Sequence, residues 1–391
     1  MSVDINIDQL LARAVKLAKK GTGFVEPNPR VGALVVKDGE IVGEGWHTEY
    51  GGPHAEVMAL GQAKERARGA DLLLTLEPCS TDGKTPPCTD AILACGIRRV
   101  VFAVKDPNPK NSGRARHLLM EAGVEVEELH DVPEAQVLID DFRTYLKGTL
   151  PWVILKWAMS ADGKVATSLG ESKWISSEES RRDAHAERAR ADAIVVGRVT
   201  AQTDDPELTA RMVTPRQGHQ AIRVVLDSKL TLSPTSKLAM SASDVPTWVY
   251  HCSGPESDAR REALTALGVR TIQVGVGEGH RLDAVEALRH LRSEGHHRIL
   301  VEGGPTVHGA LLGQGLADWA RVYVCPLLIG GLMAPGPVAG MGFPSLEEAV
   351  WLSDLHLRVV GEQGSDFVID GRISNHREDD SRKSKSPRKS H

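Results

Sequence analysis

The chain lacks several features that would place it in a special class. No apolar run in its 391 residues approaches the roughly 18 that a membrane span needs, so no membrane partner is expected. Residues 1–20 contain Asp4 and Asp8 and no continuous apolar stretch, which is not the pattern of a secretory signal. Five cysteines, an odd number without such a signal, argue against a disulfide framework. Reduced thiols in a cytoplasmic protein are expected instead. The net charge of −5 gives no reason to expect nucleic acid as a partner. The G-x-G-x-x-G fingerprint of a Rossmann dinucleotide site is missing as well.

What is present is an ordinary globular composition over a length that suggests two domains. A helix is expected over 8–20, with Leu10, Leu11, Ala14, Leu17 and Ala18 on one side. Strands at 31–36 and 41–46 flank Asp38-Gly39, a strong hairpin turn. A helix opens at His54, a buried strand covers 72–76, and a short helix over 89–95 is closed by Gly96. A strand at 100–104, a helix near 115–122 and a strand at 124–128 follow, and one short helix is expected between 131 and 149. Leu150-Pro151 starts a second series, with strands at 152–157, 193–197, 222–226, 247–251, 269–274 and 298–301. Helices are expected at 177–191 and near 257–267 and 282–293. Strands alternating with helices imply layered α/β domains, here 1–148 and 149–375. Residues 376–391, charged and without an apolar residue, are expected to be a disordered tail.

Three residue types stand in a telling order: His54-Ala55-Glu56, Pro78-Cys79 and Pro86-Pro87-Cys88. One imidazole and two thiolates give zinc three protein ligands and leave a fourth position open for water, the mark of a catalytic rather than a structural site. Glu56 is not needed as a ligand and is free to move protons. Zinc deaminases that act on nucleobases divide the labour this way. Both cysteine segments are read as following strand ends, and each Cys follows a proline that biases the chain to extended form. A structural zinc would need a fourth ligand, for which Cys95 or His47 is available. The tripeptide recurs as His185-Ala186-Glu187, but inside a charged helix with no Pro-Cys segment behind it. That copy is expected to be a solvated helix face.

The surrounding residues are more specific. Pro27-Asn28-Pro29-Arg30-Val31-Gly32, Gly51-Gly52-Pro53-His54-Ala55-Glu56, Thr75-Leu76-Glu77-Pro78-Cys79-Ser80, Gly83-Lys84-Thr85-Pro86-Pro87-Cys88 and Asp106-Pro107-Asn108-Pro109 resemble the bifunctional riboflavin-biosynthesis deaminase/reductases. So do Leu155-Lys156-Trp157-Ala158-Met159-Ser160-Ala161-Asp162-Gly163-Lys164, Gly170-Glu171-Ser172-Lys173-Trp174-Ile175, Thr203-Asp204-Asp205-Pro206 and Val301-Glu302-Gly303-Gly304-Pro305-Thr306. The resemblance spans about residues 8–372 and keeps the order of both halves. It implies a cytidine-deaminase-like three-layer α/β/α domain followed by a dihydrofolate-reductase-like α/β domain. It also implies Zn2+ and NADPH as cofactors, a small phosphoribosyl-pyrimidine as substrate, and a homo-oligomer assembled through the reductase domain.

By the same resemblance His54, Cys79 and Cys88 hold the metal and Glu56 carries protons. Asn28, His47, Lys84, Asp106 and Asn108 border the deaminase substrate, with Lys84 able to reach its phosphate as a point charge. The family usually has His after Pro-Cys-Ser, whereas this chain has Thr81, which can donate a hydrogen bond but carries no charge. In the second half NADPH is expected along Gly304, Pro305, Thr306, Val307, His308, Gly309 and Ala310, and at Ala158, Trp174, Thr200, Asp204 and Ser228. A Gly-Gly-Pro turn opening a helix suits the pyrophosphate. Ser172, Arg188, Leu208, Arg211 and Glu302 are expected to hold the second substrate. Lys156 and Asp204 are the candidates for proton movement at the ribosyl carbon. Two readings compete with this one: a nucleoside or tRNA deaminase with an unrelated appended domain, and a non-catalytic zinc-stabilised scaffold.

Overall fold

In each half the strands at the centre of the sheet are mostly apolar on both sides, and those at its edges are mixed. In the computed structural model, residues 7–213, 220–361 and 366–375 are described, and the expected tail lies outside them. The chain divides into two units, Met1–Thr149 and Leu150–His391.

The first unit contains α1 (Ile7–Ala18), β1 (Gly32–Lys37), β2 (Glu40–Trp46), α2 (Ala55–Ala63), β3 (Asp71–Leu74), α3 (Cys88–Ala94), β4 (Arg99–Phe102), α4 (Arg114–Glu121), β5 (Glu125–Glu128), α5 (Pro133–Val137) and α6 (Asp140–Lys147). Its sheet runs β2-β1-β3-β4-β5, antiparallel over the first three strands and parallel over the rest. The β1–β2 turn places Asp38 at φ 51° and Gly39 at φ 78°, the pair of positive values a two-residue hairpin turn requires. Side chains alternate between two cores. Leu34, Leu73 and Val101 pack with α1, α5 and α6, whereas Ala33, Val35, Leu72, Leu74, Val100 and Phe102 pack with α2, α3 and α4. Three layers result. Gly32 marks where α1 lies closest, since a Cβ there would collide with the Ala14 carbonyl oxygen.

The second unit contains β6 (Trp152–Ser160), α7 (Glu178–Arg190), β7 (Ala193–Gly197), α8 (Arg198–Asp204), β8 (Ile222–Leu226), α9 (Lys237–Met240), β9 (Thr247–His251), α10 (Asp258–Ala266), β10 (Arg270–Gln273), α11 (Ala284–Ser293), β11 (Arg298–Val301), α12 (Pro305–Gly313), β12 (Trp319–Cys325), β13 (Val350–Val360) and β14 (Asp366–Asn375). The sheet order is β10-β9-β8-β7-β11-β6-β12-β14-β13. Strands from β10 to β12 are parallel, and β14 and β13 add an antiparallel edge. Val153, Leu155, Val195 and Val301 face one core with α11 and α12. Ile154, Ile194, Val196 and Leu300 face the other.

Four expectations change. The segment 131–149 holds two helices, not one, and their Ala135, Leu138, Ile139 and Phe142 close the first core. The strands β12, β13 and β14 extend the second sheet beyond the region where strands were foreseen. Cys79 follows a strand, but Cys88 is the first residue of a helix. The copied tripeptide is no solvated face: His185 and Glu187 are buried. Glu187 bonds Arg298 of β11, Arg321 of β12 and Arg190, so three cations offset the cost of burying its charge. Those cations hold its carboxyl well below the usual carboxylate range.

Candidate active sites

In the first unit the chain leaves β3 and delivers Cys79 beside the start of α2. His54 is the N-cap of α2, in extended conformation, so its ring projects from the helix end rather than along its side. The proline before Cys88 is the N-cap of α3. The donor atoms of His54, Cys79 and Cys88 lie within 4.8 Å of one another. His54 Nδ1 stands 3.3 Å from Cys88 Sγ and 3.5 Å from Cys79 Sγ. Tetrahedral zinc, with Zn–N about 2.0 Å and Zn–S about 2.3 Å, needs such atoms about 3.6 Å apart, so the donor set fits the ion. Nε2 of the same ring lies 3.4 Å from Thr85 Oγ1, a contact that turns Nδ1 toward the sulfurs. Neither Cys95 nor His47 joins the group.

Glu56 lies in the first turn of α2 and is 3% exposed. Burial, helped by the neighbouring Cys79, pushes its carboxyl up to about 7. A carboxyl near neutrality both accepts and returns a proton at working pH. Hydrogen bonds from Cys88 and His54 pull the Cys79 thiol down to about 4, against its burial. The same bond between the cysteines pushes the Cys88 thiol up, so of the two Cys79 is the one that ionises first.

Around this group the expected binding residues are held in separate sets, Asn28 with His47, Asp106 with Asn108 and Asn111, and Lys84 with Tyr50. His47 Nδ1 donates to the Pro53 carbonyl at 3.0 Å, which leaves Nε2 to accept from Asn28 Nδ2 at 3.1 Å. Burial keeps the His47 ring below its usual pKa and so neutral, consistent with that tautomer. Asp106 is buried, and burial holds it above the usual carboxylate range against bonds from Asn108 and Asn111. Asn111, which sequence reasoning missed, is the hub. Its Nδ2 donates to Asp106 Oδ2 at 3.1 Å and its Oδ1 accepts from Thr81 Oγ1 at 2.9 Å. Glu77 ties the end of β3 to this loop by accepting from the backbone of Asp106 and Gly113 at 3.2 and 3.0 Å. Lys84 is exposed, and its Nζ sits 4.0 Å above the Tyr50 ring, another partner that sequence reasoning did not find.

In the second unit the Gly303-Gly304 turn connects β11 to α12. Gly303 has φ 100°, and a Cβ on Gly304 would meet Thr200 Oγ1 at 3.0 Å. Gly304 caps α12 without a side-chain hydrogen bond and Pro305 follows at the first helical position. The first-turn N–H groups are thus free of side-chain caps, as a pyrophosphate would require. Two expected contacts have inward side chains. His308 is 2% exposed, with Nδ1 3.0 Å from the Pro337 carbonyl oxygen. Leu208 is 2% exposed and packs in the core at φ 51°, so only its backbone is offered. Val307 lies against Gly197, and Ala158 packs on the core around Tyr323. Thr306 is exposed, while Pro305 and Ala310 are half-buried. Gly309 touches the chain at Ala339, whose carbonyl oxygen would collide with a Cβ there.

The remaining expected residues differ in how they are held. Trp174 is 70% exposed with the Arg181 guanidinium 4.6 Å over its ring. Ser228 Oγ accepts from the Leu282 N–H at 3.0 Å, and Ser172 is half-buried. Arg211 is exposed and pairs with Glu207, while its N–H donates to His185 Nδ1 at 3.2 Å. Arg188 and Glu302 are bound to each other through two bonds of 2.7 Å. The pairing holds Glu302 at about 2 despite burial. Both are therefore charged. Lys156, half-buried near them, is pushed below the ordinary lysine range by desolvation, with Glu302 opposing the shift. Asp204 ends α8, half-buried, and burial raises its carboxyl.

Comparison with known proteins connects the two sites. The RibD C-terminal domain family matches residues 151–364, and the cytidine and deoxycytidylate deaminase zinc-binding region matches residues 5–104. The riboflavin biosynthesis protein RibD of Bacillus amyloliquefaciens is 42% identical over 349 residues, covering 89% of this chain and 92% of that protein. The protein of the same description from Escherichia coli (strain K12) is 40% identical over 361 residues, covering 90% and 96%. A Thermotoga maritima crystal structure, described as a diaminohydroxyphosphoribosylaminopyrimidine deaminase/5-amino-6-(5-phosphoribosylamino)uracil reductase, superposes with a TM-score of 0.73. It is 34% identical, and the match covers 94% of this chain and 98% of that one. Acinetobacter baumannii RibD gives a TM-score of 0.73 at 32% identity, covering 93% and 98%.

Proposed function

The chain belongs to the RibD family of riboflavin-biosynthesis enzymes, and from that premise we propose which of its residues carry each of two consecutive reactions. It is a bifunctional enzyme, a zinc-dependent deaminase of the phosphoribosylamino-pyrimidine and an NADPH-dependent reductase of its ribosyl side chain. We assign deamination to residues 1–148 and reduction to residues 149–375.

The convergence of His54, Cys79 and Cys88 around one point, with buried Glu56 beside them, carries the first assignment. Zinc held there supplies a Lewis acid that makes hydroxide available at neutral pH. Glu56 would move the protons: it carries one from the attacking water to the ring nitrogen and a second, from the hydroxyl so formed on the ring carbon, to the amine, which leaves as ammonia. Thr85 orients the His54 ring. Asn28, His47, Asp106 and Asn108 hold the pyrimidine, and Lys84 takes the phosphate, leaving the Tyr50 ring to do so. Thr81 stands where the family usually has a charged donor. Thr81→His is expected to lower the deaminase KM by roughly three- to tenfold, the effect of one charge-assisted hydrogen bond. Initial rates of ammonia release at varied substrate decide it, and an unchanged or higher KM refutes it.

For reduction, NADPH supplies the hydride. The stretch from Gly304 to Ala310 at the start of α12 borders its pyrophosphate, and Ala158, Trp174, Thr200, Asp204 and Ser228 border it as well. The Gly304 and Thr306 N–H groups are the donors, because Pro305 has none and those of Val307 and His308 bond the Gly304 carbonyl. Ser172, Arg188, the Leu208 backbone, Arg211 and Glu302 receive the substrate. Arg188 is the phosphate partner with the fixed fork, since Glu302 already holds its guanidinium in plane. Lys156 and Asp204 handle the proton as the sugar ring opens. Mass analysis after incubation with the pyrimidine tests the whole reading. Replacement of the amine by oxygen is expected without NADPH, and a further gain of two hydrogens with it. Ammonia release without any NADPH oxidation would favour a deaminase with an unrelated appended domain.

We further propose a homo-oligomer through the reductase unit, in the cytoplasm. The edge strand β13 pairs only with β14 among the described residues and exposes Trp351, Leu355, Leu357 and Val359, beside Phe367 of β14. Leu357 alone is 72% exposed. An uncovered apolar edge is a liability that another copy of the chain removes. Leu357→Lys is expected to halve the molar mass seen by light scattering, and an unchanged mass would refute this edge as the interface.

A further inference from the structure

Lys156 presents a problem that the reaction alone does not solve. Its side chain is half-buried in the middle of β6, and it makes no hydrogen bond or ion pair among the described residues. A four-carbon side chain with nothing to hold its end samples several rotamers, whereas proton transfer needs one position. The contact it does make is with an aromatic face. Nζ lies 5.4 Å from the centroid of the Tyr323 ring, within the range of a cation–π contact.

That ring is itself immobilised. Tyr323 is 1% exposed on β12, the parallel neighbour of β6, two residues beyond Arg321, which lies opposite Lys156. Its hydroxyl donates to Asp183 Oδ2 of α7 at 2.6 Å. Asp183 accepts two further bonds from Arg358 of β13, at 3.0 and 2.6 Å. Burial keeps the phenol protonated far above the usual tyrosine range, so the donor is always present. Strand, helix and edge strand together fix one side chain whose face points at Lys156.

We propose that Tyr323, anchored by Asp183, is a positioning residue for reduction: its ring face holds the Lys156 ammonium in the place from which it exchanges a proton with the substrate. The proposal rests on the assignment of Lys156 to proton handling. The charged and titratable groups around that amine are Glu302 just after β11, Arg188 and Asp183 on α7, Cys325 and Tyr323 on β12, and His308 on α12. Burial and Arg188 disfavour the ammonium, whereas Glu302, Cys325 and Asp183 favour it. The aromatic face adds to the favourable side. Losing it lowers the affinity of the amine for its proton.

The test uses the full-length enzyme and three variants, Tyr323→Leu, Tyr323→Phe and Lys156→Met. Competitive acetylation of Lys156 across pH, read by peptide mass spectrometry without NADPH, titrates the amine directly. The pH profile of reductase kcat is measured in parallel, and NADPH binding reports the integrity of the unit. Tyr323→Leu is expected to move the Lys156 titration about one pH unit downward. It is also expected to lower kcat about tenfold or more, with KM within about twofold. Tyr323→Phe keeps the ring and loses its anchor, so the titration stays within a few tenths of a unit while kcat falls about threefold. An unmoved titration and kcat in Tyr323→Leu overturn the proposal. If Tyr323→Leu no longer binds NADPH, Tyr323→Phe decides, and a full kcat there overturns it. Activity retained by Lys156→Met sinks the assignment of Lys156 itself, whereas loss there with an unaffected Tyr323→Leu sinks the positioning role alone.

Discussion

Glu56→Gln is expected to lower deaminase kcat by about 10²- to 10⁴-fold while zinc content stays at one ion per chain. The amide matches the carboxylate in shape, so α2 keeps its first turn and His54 its capping position. What is lost is the ability to take and return a proton. Burial has set that ability near neutrality, since the carboxyl lies at about 7 with only 3% of the residue exposed. Zinc should be retained because the three donor atoms that fit the ion come from His54, Cys79 and Cys88. Ammonia release, metal analysis and NADPH oxidation with the deaminated compound should be read on one sample. NADPH oxidation should be unchanged, because the reductase residues lie in the other unit. Loss of zinc would make Glu56 a ligand, and a kcat within tenfold of the parent would pass the proton to another group.

The contrast between Glu56 and Glu187 shows what can be read from a sequence and what cannot. Each follows His-Ala. Glu56 is recognisable because its partners are near in the chain: Cys79 and Cys88 lie about 25 and 34 residues beyond His54, and proline marks both. Glu187 passes for a solvated residue because eight of the thirteen residues of α7 are charged. Its burial depends on Arg298 of β11 and Arg321 of β12, more than a hundred residues along the chain, and no local pattern announces that pairing. The same distinction separates the strands. Those of β1, β3 and β6 to β8 are apolar on both faces and stand out. β13 and β14 carry polar residues inward, such as Asp370, and apolar residues outward, such as Leu357 and Phe367, so neither periodicity nor composition reveals them. The helices at 133–147 are short and mixed in charge, and only their packing under the first sheet distinguishes them from loop. Within the sites, residue types were legible and their attachments were not. Asn111, Thr85, Tyr50 and Tyr323 act by holding other side chains, and such roles exist only once the chain has folded.

Asp204→Asn is expected to lower reduction by about 10²- to 10⁴-fold relative to the parent while deamination persists. The sequence presents two adjacent acids, Asp204 and Asp205, and only the family resemblance singles out Asp204. Their surroundings do choose. Asp205 turns into the left-handed region at φ 39°, and its Oδ1 accepts from the Lys237 N–H at 2.9 Å, so its carboxylate is occupied at the start of α9. The Asp204 carboxylate makes no hydrogen bond or ion pair among the described residues, and Lys173 bonds only its backbone carbonyl, at 3.4 Å. A half-buried carboxylate left without a partner is costly unless a substrate supplies one. Burial raises its pKa above the usual aspartate range, with Lys173 opposing the shift. The protonated form therefore persists to higher pH than an ordinary aspartate allows. If that form donates the proton as the sugar opens, reductase kcat declines as pH rises through this raised value, and the decline disappears in Asp204→Asn. Asp205→Asn should instead cost stability and leave the pH profile unaltered. Equal loss of deamination and reduction in Asp204→Asn would contradict two separate sites, because Asp204 and the His54–Cys79–Cys88 group belong to different units.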